Sequence, residues 1–114
     1  MKKLLALIIL SFSGLTYADG NNDWQNIDEN IIKLNSLNSC QGCLLRNTNF
    51  IGADLNNAFL SGADFISADL SNANLYNANL EGSSLFGAKM NGSNLNNANL
   101  FGSNLFAVSL DGAN

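Results

Sequence analysis

Residues 53–112 read, in fives from Ala53, ADLNN AFLSG ADFIS ADLSN ANLYN ANLEG SSLFG AKMNG SNLNN ANLFG SNLFA VSLDG. Upstream, residues 38–52 keep the same register as NSCQG CLLRN TNFIG, so fifteen pentads run from Asn38 to Gly112. The third residue of each pentad is its centre. Apart from Cys40, the centres are Leu45, Phe50, Leu55, Leu60, Phe65, Leu70, Leu75, Leu80, Leu85, Met90, Leu95, Leu100, Leu105 and Leu110. A period of five matches neither the 3.6 of a helix nor the 2 of a flat strand. The chain must therefore turn at every repeat, with its apolar centres gathered round a narrow axis.

Two further positions support that geometry. The first residue of the pentad, two before the centre, is Ala at Ala53, Ala58, Ala63, Ala68, Ala73, Ala78, Ala88 and Ala98. Large and small side chains alternating around an axis fill a tight core without voids. The fifth residue is Gly or Asn in thirteen of the fifteen pentads, with Ser67 and Ala107 the exceptions. These residue types tolerate the positive φ that the second central position of a type II turn demands. Short extended pieces joined by such corners make a coil, and stacked coils pair through backbone hydrogen bonds about 4.8 Å apart.

The run of A-[DN]-L-x-x resembles the pentapeptide repeat family over about two thirds of the chain. The resemblance implies an all-β solenoid, a right-handed quadrilateral β-helix with four pentads per coil. Fifteen pentads then give just under four coils, a tower of roughly 18 Å. Each Leu-sized centre contributes about 2 kcal/mol by burial before chain entropy is set against it. Stability should be spread along the stack as nearest-neighbour interfaces.

Outside the repeat, residues 1–18 read as a secretory signal peptide. Lys2 and Lys3 precede an apolar run at residues 4–10, and the segment closes on Thr16-Tyr17-Ala18. That run is shorter than the ~20 residues a membrane anchor needs, and no Cys near the cut suggests lipid attachment. The expected destination is the periplasm or the exterior of a bacterial cell. Residues 19–37 lead into the repeat, and Trp24, Ile27, Ile31 and Leu34 fall on one face of a helix capped by Asn22 or Asp23. A solenoid end exposes its core, so this helix is expected to cover the first coil, with a partner-binding helix as the other reading. Residues 113–114 are expected to be a short tail. The edge beside Leu100, Leu105 and Leu110 would then be open, to be met end to end by a second copy or left bare.

After removal of residues 1–18, the three bases Lys33, Arg46 and Lys89 stand against nine acids, a net charge of −6. A nucleic-acid binder carries the opposite sign. The repeat region alone has Asp54, Asp64, Asp69, Glu81 and Asp111 against Arg46 and Lys89, a net −3. Cytosolic members of the resembled family mimic a DNA duplex and protect gyrase with a negative surface. That reading is disfavoured here by the weak charge and the export signal. The sequence has no His, no paired carboxylates at fixed helical spacing, no G-x-S-x-G and no phosphate loop. An enzyme, a cofactor and a metal site are accordingly not expected.

Cys40 and Cys43 form C-Q-G-C in the first coil, one a centre and the other a small inward residue. Zinc needs about four ligands, more than one chain with two Cys and no His supplies. A thioredoxin-like redox pair lacks its strand-and-helix setting. In an oxidising compartment a structural disulfide or two buried thiols remain, and many exported members of the resembled family share a Cys pair at this place. Among the outward positions, residues twenty apart stack. Most such ladders are polar, as in Asn79 over Asn99 and Asn74 over Asn94. The exception reads Arg46, Ile66, Phe86, Phe106, with Phe101 round the adjoining corner. That is a candidate interaction patch, or else bulk that covers a strand face. The function this supports is a non-catalytic binding or scaffold protein whose partner is another protein or itself.

Overall fold

The computed structural model describes residues 23–114, so the expected signal segment lies outside the described residues, as do Asn22 and the side chain of Trp24. The repeat winds into a four-sided coil. Eleven parallel bridges join residues twenty apart, beginning with Ser39 to Phe59, Leu44 to Asp64, Asn49 to Asp69 and Asp54 to Asn74. Four pentads thus complete one turn, and each side of the coil carries one bridging residue per level. The expected β solenoid takes the form of single bridges rather than strands. With two of every five residues spent on a corner, no side is long enough for consecutive paired residues. Among the described residues the bridges are isolated ones, and the regular element is a helix.

Three backbone bonds per pentad hold one coil on the next. The Leu55 N–H donates to the Asn74 carbonyl (2.8 Å), the Asn74 N–H returns to the Ala53 carbonyl (2.8 Å), and the Asn57 N–H donates to the Tyr76 carbonyl (2.8 Å). The same triplet recurs down the stack, which satisfies backbone polar groups around a dry core. The corner closes through a bond such as Ala58 N–H to the Leu55 carbonyl, 3.1 Å. All fifteen fifth residues have positive φ, from +57° to +71°, including Ser67 at +58° and Ala107 at +59°. Holding an Ala there costs about 1 kcal/mol, part of which the greater unfolded freedom of glycine would offset. Ala107→Gly should therefore raise the urea midpoint by a stability gain of about 0.5 kcal/mol with an unchanged slope. A loss of stability would mean that the Ala107 methyl makes contacts outweighing its strain.

The structure also explains the second residue of the pentad, where Asp and Asn recur. In nine pentads its side-chain Oδ1 accepts the N–H of the fourth residue, as in Asp69 to Ser71 (3.0 Å) and Asn104 to Phe106 (3.0 Å). This local bond satisfies a corner N–H that has no coil partner. The same carboxamides bond vertically, Asn94 Nδ2 to Asn74 Oδ1 (3.2 Å) and Asn99 Nδ2 to Asn79 Oδ1 (3.3 Å).

The core contains the centres from Cys40 to Met90 and the small residues between them, all buried. Phe50 and Phe65 meet edge to face with ring centroids 5.9 Å apart. Helix α1, Asp23–Leu37, has no Gly or Pro and lays Ile27, Ile31 and Leu34 into the same cluster as Cys40, Cys43 and Leu45. Asn30 Nδ2 donates to the Leu44 carbonyl (3.0 Å), supplying a donor to the upper edge that has no coil above it. The helix stops at Asn38, whose φ is +52° and whose N–H reaches the Leu34 carbonyl (2.8 Å). At the other end the core thins: Leu95 and Leu100 are half-buried, while Leu105 and Leu110 are 38% and 41% exposed. Residues 113–114 are not a loose tail. They begin a sixteenth pentad, with the Asn114 N–H on the Ser93 carbonyl (3.0 Å) and the Leu95 N–H on the Asn114 carbonyl (2.8 Å).

Candidate functional site

The aromatic ladder lies on a corner of the tower rather than on a side. Arg46, Ile66, Phe86 and Phe106 are each the residue just after a centre, the first central position of its turn. The backbone of the lower three is tied to the coil above. The carbonyls of Ile66, Phe86 and Phe106 accept the N–H groups of Asn47, Ser67 and Gly87 at 2.9–3.0 Å. The N–H groups of Ile66 and Phe106 are held by Asp64 and Asn104. A side chain rooted this way loses little further freedom on binding.

The rings of Phe86 and Phe106 stack with centroids 5.6 Å apart and planes 14° from parallel. Phe86 is 42% exposed, Phe106 70% and Phe101 78%. Phe101 stands on the neighbouring corner, where its N–H is held by Asn99 Oδ1 (3.0 Å) and its carbonyl accepts the Gly82 N–H (2.9 Å). Ile66 is half-buried. Arg46 tops the ladder with its Nε 2.5 Å from Asp64 Oδ2. Both ends of that pair are solvated to some degree, so it contributes at most about 1 kcal/mol. The structure thus brings Ile66, Phe86 and Phe106 into one vertical row, with Phe101 across the side that carries Ser84 and Asn104. Sequence spacing located the row but missed Asp64, Asn99 and Asn104 as the groups that hold its backbone. Their recurrence as Asp or Asn two residues before Ile66, Phe101 and Phe106 was the available signal.

Cys40 and Cys43 are buried and joined by a disulfide, with Cα atoms 5.3 Å apart. Cys40 Sγ touches the Asn30 carbonyl oxygen of α1 at 3.3 Å, so the bridge lies against the helix. Its closed loop is short, which limits the stabilisation it gives through chain entropy. On the same helix, burial pushes the Asp28 carboxyl above its ordinary value, and Asp28 Oδ1 has no hydrogen-bond partner. A raised acid favours the folded state most when protonated. Its contribution is therefore fully present below the unfolded value and lost as pH rises through the raised one. Asp28→Asn should stabilise the chain at neutral pH and do progressively less as the medium is acidified. Paired thermal melts of chain and variant across that range check this; equal melting temperatures at neutral pH would refute it.

Two of the five carboxylates in the repeat region face cations, Asp64 with Arg46 and Asp69 with Lys89 at 3.8 Å. The Ser71 hydroxyl and backbone N–H, with Lys89 at longer range, keep Asp69 below the usual carboxylate value despite partial desolvation. Among the described residues no three His, Cys, Asp or Glu side chains gather as a metal site, and no helix is long and apolar enough to cross a membrane.

The repeat matches the family of pentapeptide repeats, defined on units of eight copies, over residues 43–82 and 78–114. The chain is a pentapeptide repeat protein. Among solved structures it is similar to a pentapeptide repeat protein from the Arabidopsis thaliana thylakoid lumen, with 28% identity and a TM-score of 0.65 over 67% of this chain. The matched region is 53% of that relative, so this pentapeptide repeat protein spans about half its length. A second pentapeptide repeat protein, from Nostoc, shares 28% identity over 69% of this chain and 72% of its own, with a TM-score of 0.40. A plasmid-mediated fluoroquinolone resistance protein matches at 16% identity and a TM-score of 0.25, over 64% of this chain and 60% of its own. Neither of these two superposes well enough to bear on function. No curated protein sequence matches. The four-sided coil with its twenty-residue turn agrees with the quadrilateral β-helix that the family and the thylakoid-lumen relative imply.

Proposed function

We propose that this pentapeptide repeat protein is a non-catalytic binding or scaffold protein of an exported compartment, the periplasm or the exterior. Its right-handed coil acts as a rigid mount, and the corner of Ile66, Phe86 and Phe106 with Phe101 beside it is the surface that meets a protein partner. The observation that carries this is the stacked, solvent-facing Phe86–Phe106 pair, whose carbonyls are held by the Ser67 and Gly87 N–H groups of the coil above. Exposed aromatic clusters on an otherwise polar monomer mark contact surfaces, and Phe anchors contribute strongly when buried. Asn and Asp occupy most of the second positions, where they bond to their own corners and to one another. A core filled by centres leaves no cavity for a substrate. A duplex-like negative face finds little support, since two of its five carboxylates lie beside cations.

The test is capture from the cell envelope by the chain and by a double variant, Phe86→Ser with Phe106→Ser. Both positions are exposed, so the variant should keep its circular dichroism and melting temperature within a few degrees while capture falls at least tenfold. Undiminished capture by a folded variant would remove the corner from the proposal.

A further inference from the structure

We infer that the partner at the aromatic corner is a second copy of this chain, placed side by side with its tower reversed. This rests on the corner being a binding surface, and it names what the corner binds.

Charge supports a self-contact. The full chain is acidic, net −4, and two copies repel wherever carboxylates face one another. The aromatic corner itself avoids that, and on its flank Glu81, directly above Phe101, accepts from Asn99 Nδ2 at 3.2 Å. Phe86, Phe106 and Phe101 are uncharged, and so are Ser84 and Asn104 on the side between the two corners. The Asp64 carboxylate above Ser84 is covered by Arg46. A cationic partner would find no cluster of carboxylates here to match it, whereas a reversed second copy brings no carboxylate against another.

Geometry supports a twofold arrangement. An isologous contact needs residue i of one copy on residue j of the other, and j on i. Phe86 and Phe106 occupy successive levels of one corner, with ring centroids 5.6 Å apart. A twofold axis perpendicular to the tower and passing between those levels sets Phe86 of one copy against Phe106 of the other, and the reverse. Both towers have the same rise, so the rows stay in register. Phe101, on the level of Phe106 but on the neighbouring corner, then lies against that same corner of the other copy at the level of Glu81, so that a ring and not a second carboxylate meets Glu81.

Area sets the strength. With 42%, 70% and 78% exposure the three rings offer on the order of 400 Å² of apolar surface per copy. A stable standard interface buries about 800 Å² per partner. The pair should therefore be weak and reversible, assembling through the micromolar range rather than at nanomolar concentration.

Sedimentation equilibrium of the full chain tests this from about 1 μM to about 1 mM, a range that brackets a weak interface. The expected result is a mass rising from one chain towards two, never beyond. Phe86→Ser with Phe106→Ser should move the midpoint at least tenfold higher, and Phe101→Ser alone should move it in the same direction. Leu110→Asn, at the lower edge of the last coil, should leave it unchanged. A chain that stays monomeric throughout overturns the inference. So does dimerisation that survives loss of the rings, or that is abolished by Leu110→Asn alone, which would place the contact end to end. Phe101→Ser keeps the test decisive if the double variant fails to fold. A monomeric chain that still captures another protein through Phe86 and Phe106 would sink the self-pairing and leave the binding role standing.

Discussion

Leu75→Asp should abolish folding. Leu75 is fully buried, and Leu55 and Leu95 occupy the same position one coil above and one below. Truncating a core Leu to Ala costs about 3–5 kcal/mol through lost burial and the cavity left behind. A carboxylate at that place adds several kcal/mol more, because a buried charge without a partner must be desolvated or protonated. The sum approaches the whole stability of an ordinary domain, about 5–15 kcal/mol. The expected observation is a variant with no cooperative thermal transition and an expanded hydrodynamic radius. Leu75→Met, similar in volume, should stay folded with a loss below about 1.5 kcal/mol. An Asp variant melting within a few degrees of the parent would show that the centres do not form one closed core.

The second large effect should be local. Ile31→Asp places a charge where α1 meets the first coil, in a cluster with Ile27, Leu34, Cys40, Cys43 and Leu45. The helix should undock, since a 15-residue helix in water draws most of its stability from its packed face. The coils below keep their own interfaces, so damage should fade with distance from the helix. Circular dichroism should lose its helical component, and hydrogen exchange should accelerate over residues 38–57 while residues 58–97 stay protected. Uniform acceleration would instead show that helix and stack unfold as one unit. No change at all would show that the helix does not cover the first coil.

Much of this was legible in the sequence because the repeat writes each physical requirement at a fixed place. Centres, small residues and corner residues each announced their role through size or through tolerance of positive φ. Ser67 and Ala107 broke the corner pattern yet adopt the same conformation, so neighbouring coils override local preference there. The second residue went unread, since an Asp or Asn on an outward position looks like ordinary surface. Its bond to the corner N–H two residues on became visible only with the turn geometry in hand. The helix face was legible from Ile27, Ile31 and Leu34, but the Asn30 contact to the Leu44 carbonyl was not, because it spans 14 residues. Nor did the sequence show that residues 113–114 enter the coil, as two residues make too short a piece to display a period.

The bridges between residues twenty apart also decide how such a gene can vary. Losing twenty codons from the middle of the repeat removes one storey and leaves every surviving residue above a partner of the same class. Losing five keeps the core pattern intact but turns everything downstream by about a quarter turn, one side of the coil. A deletion of the second kind between Phe86 and Phe106 would part the two rings without harming the fold. Height and facing are thus separate heritable traits of this molecule, the first changed in steps of twenty residues and the second in steps of five.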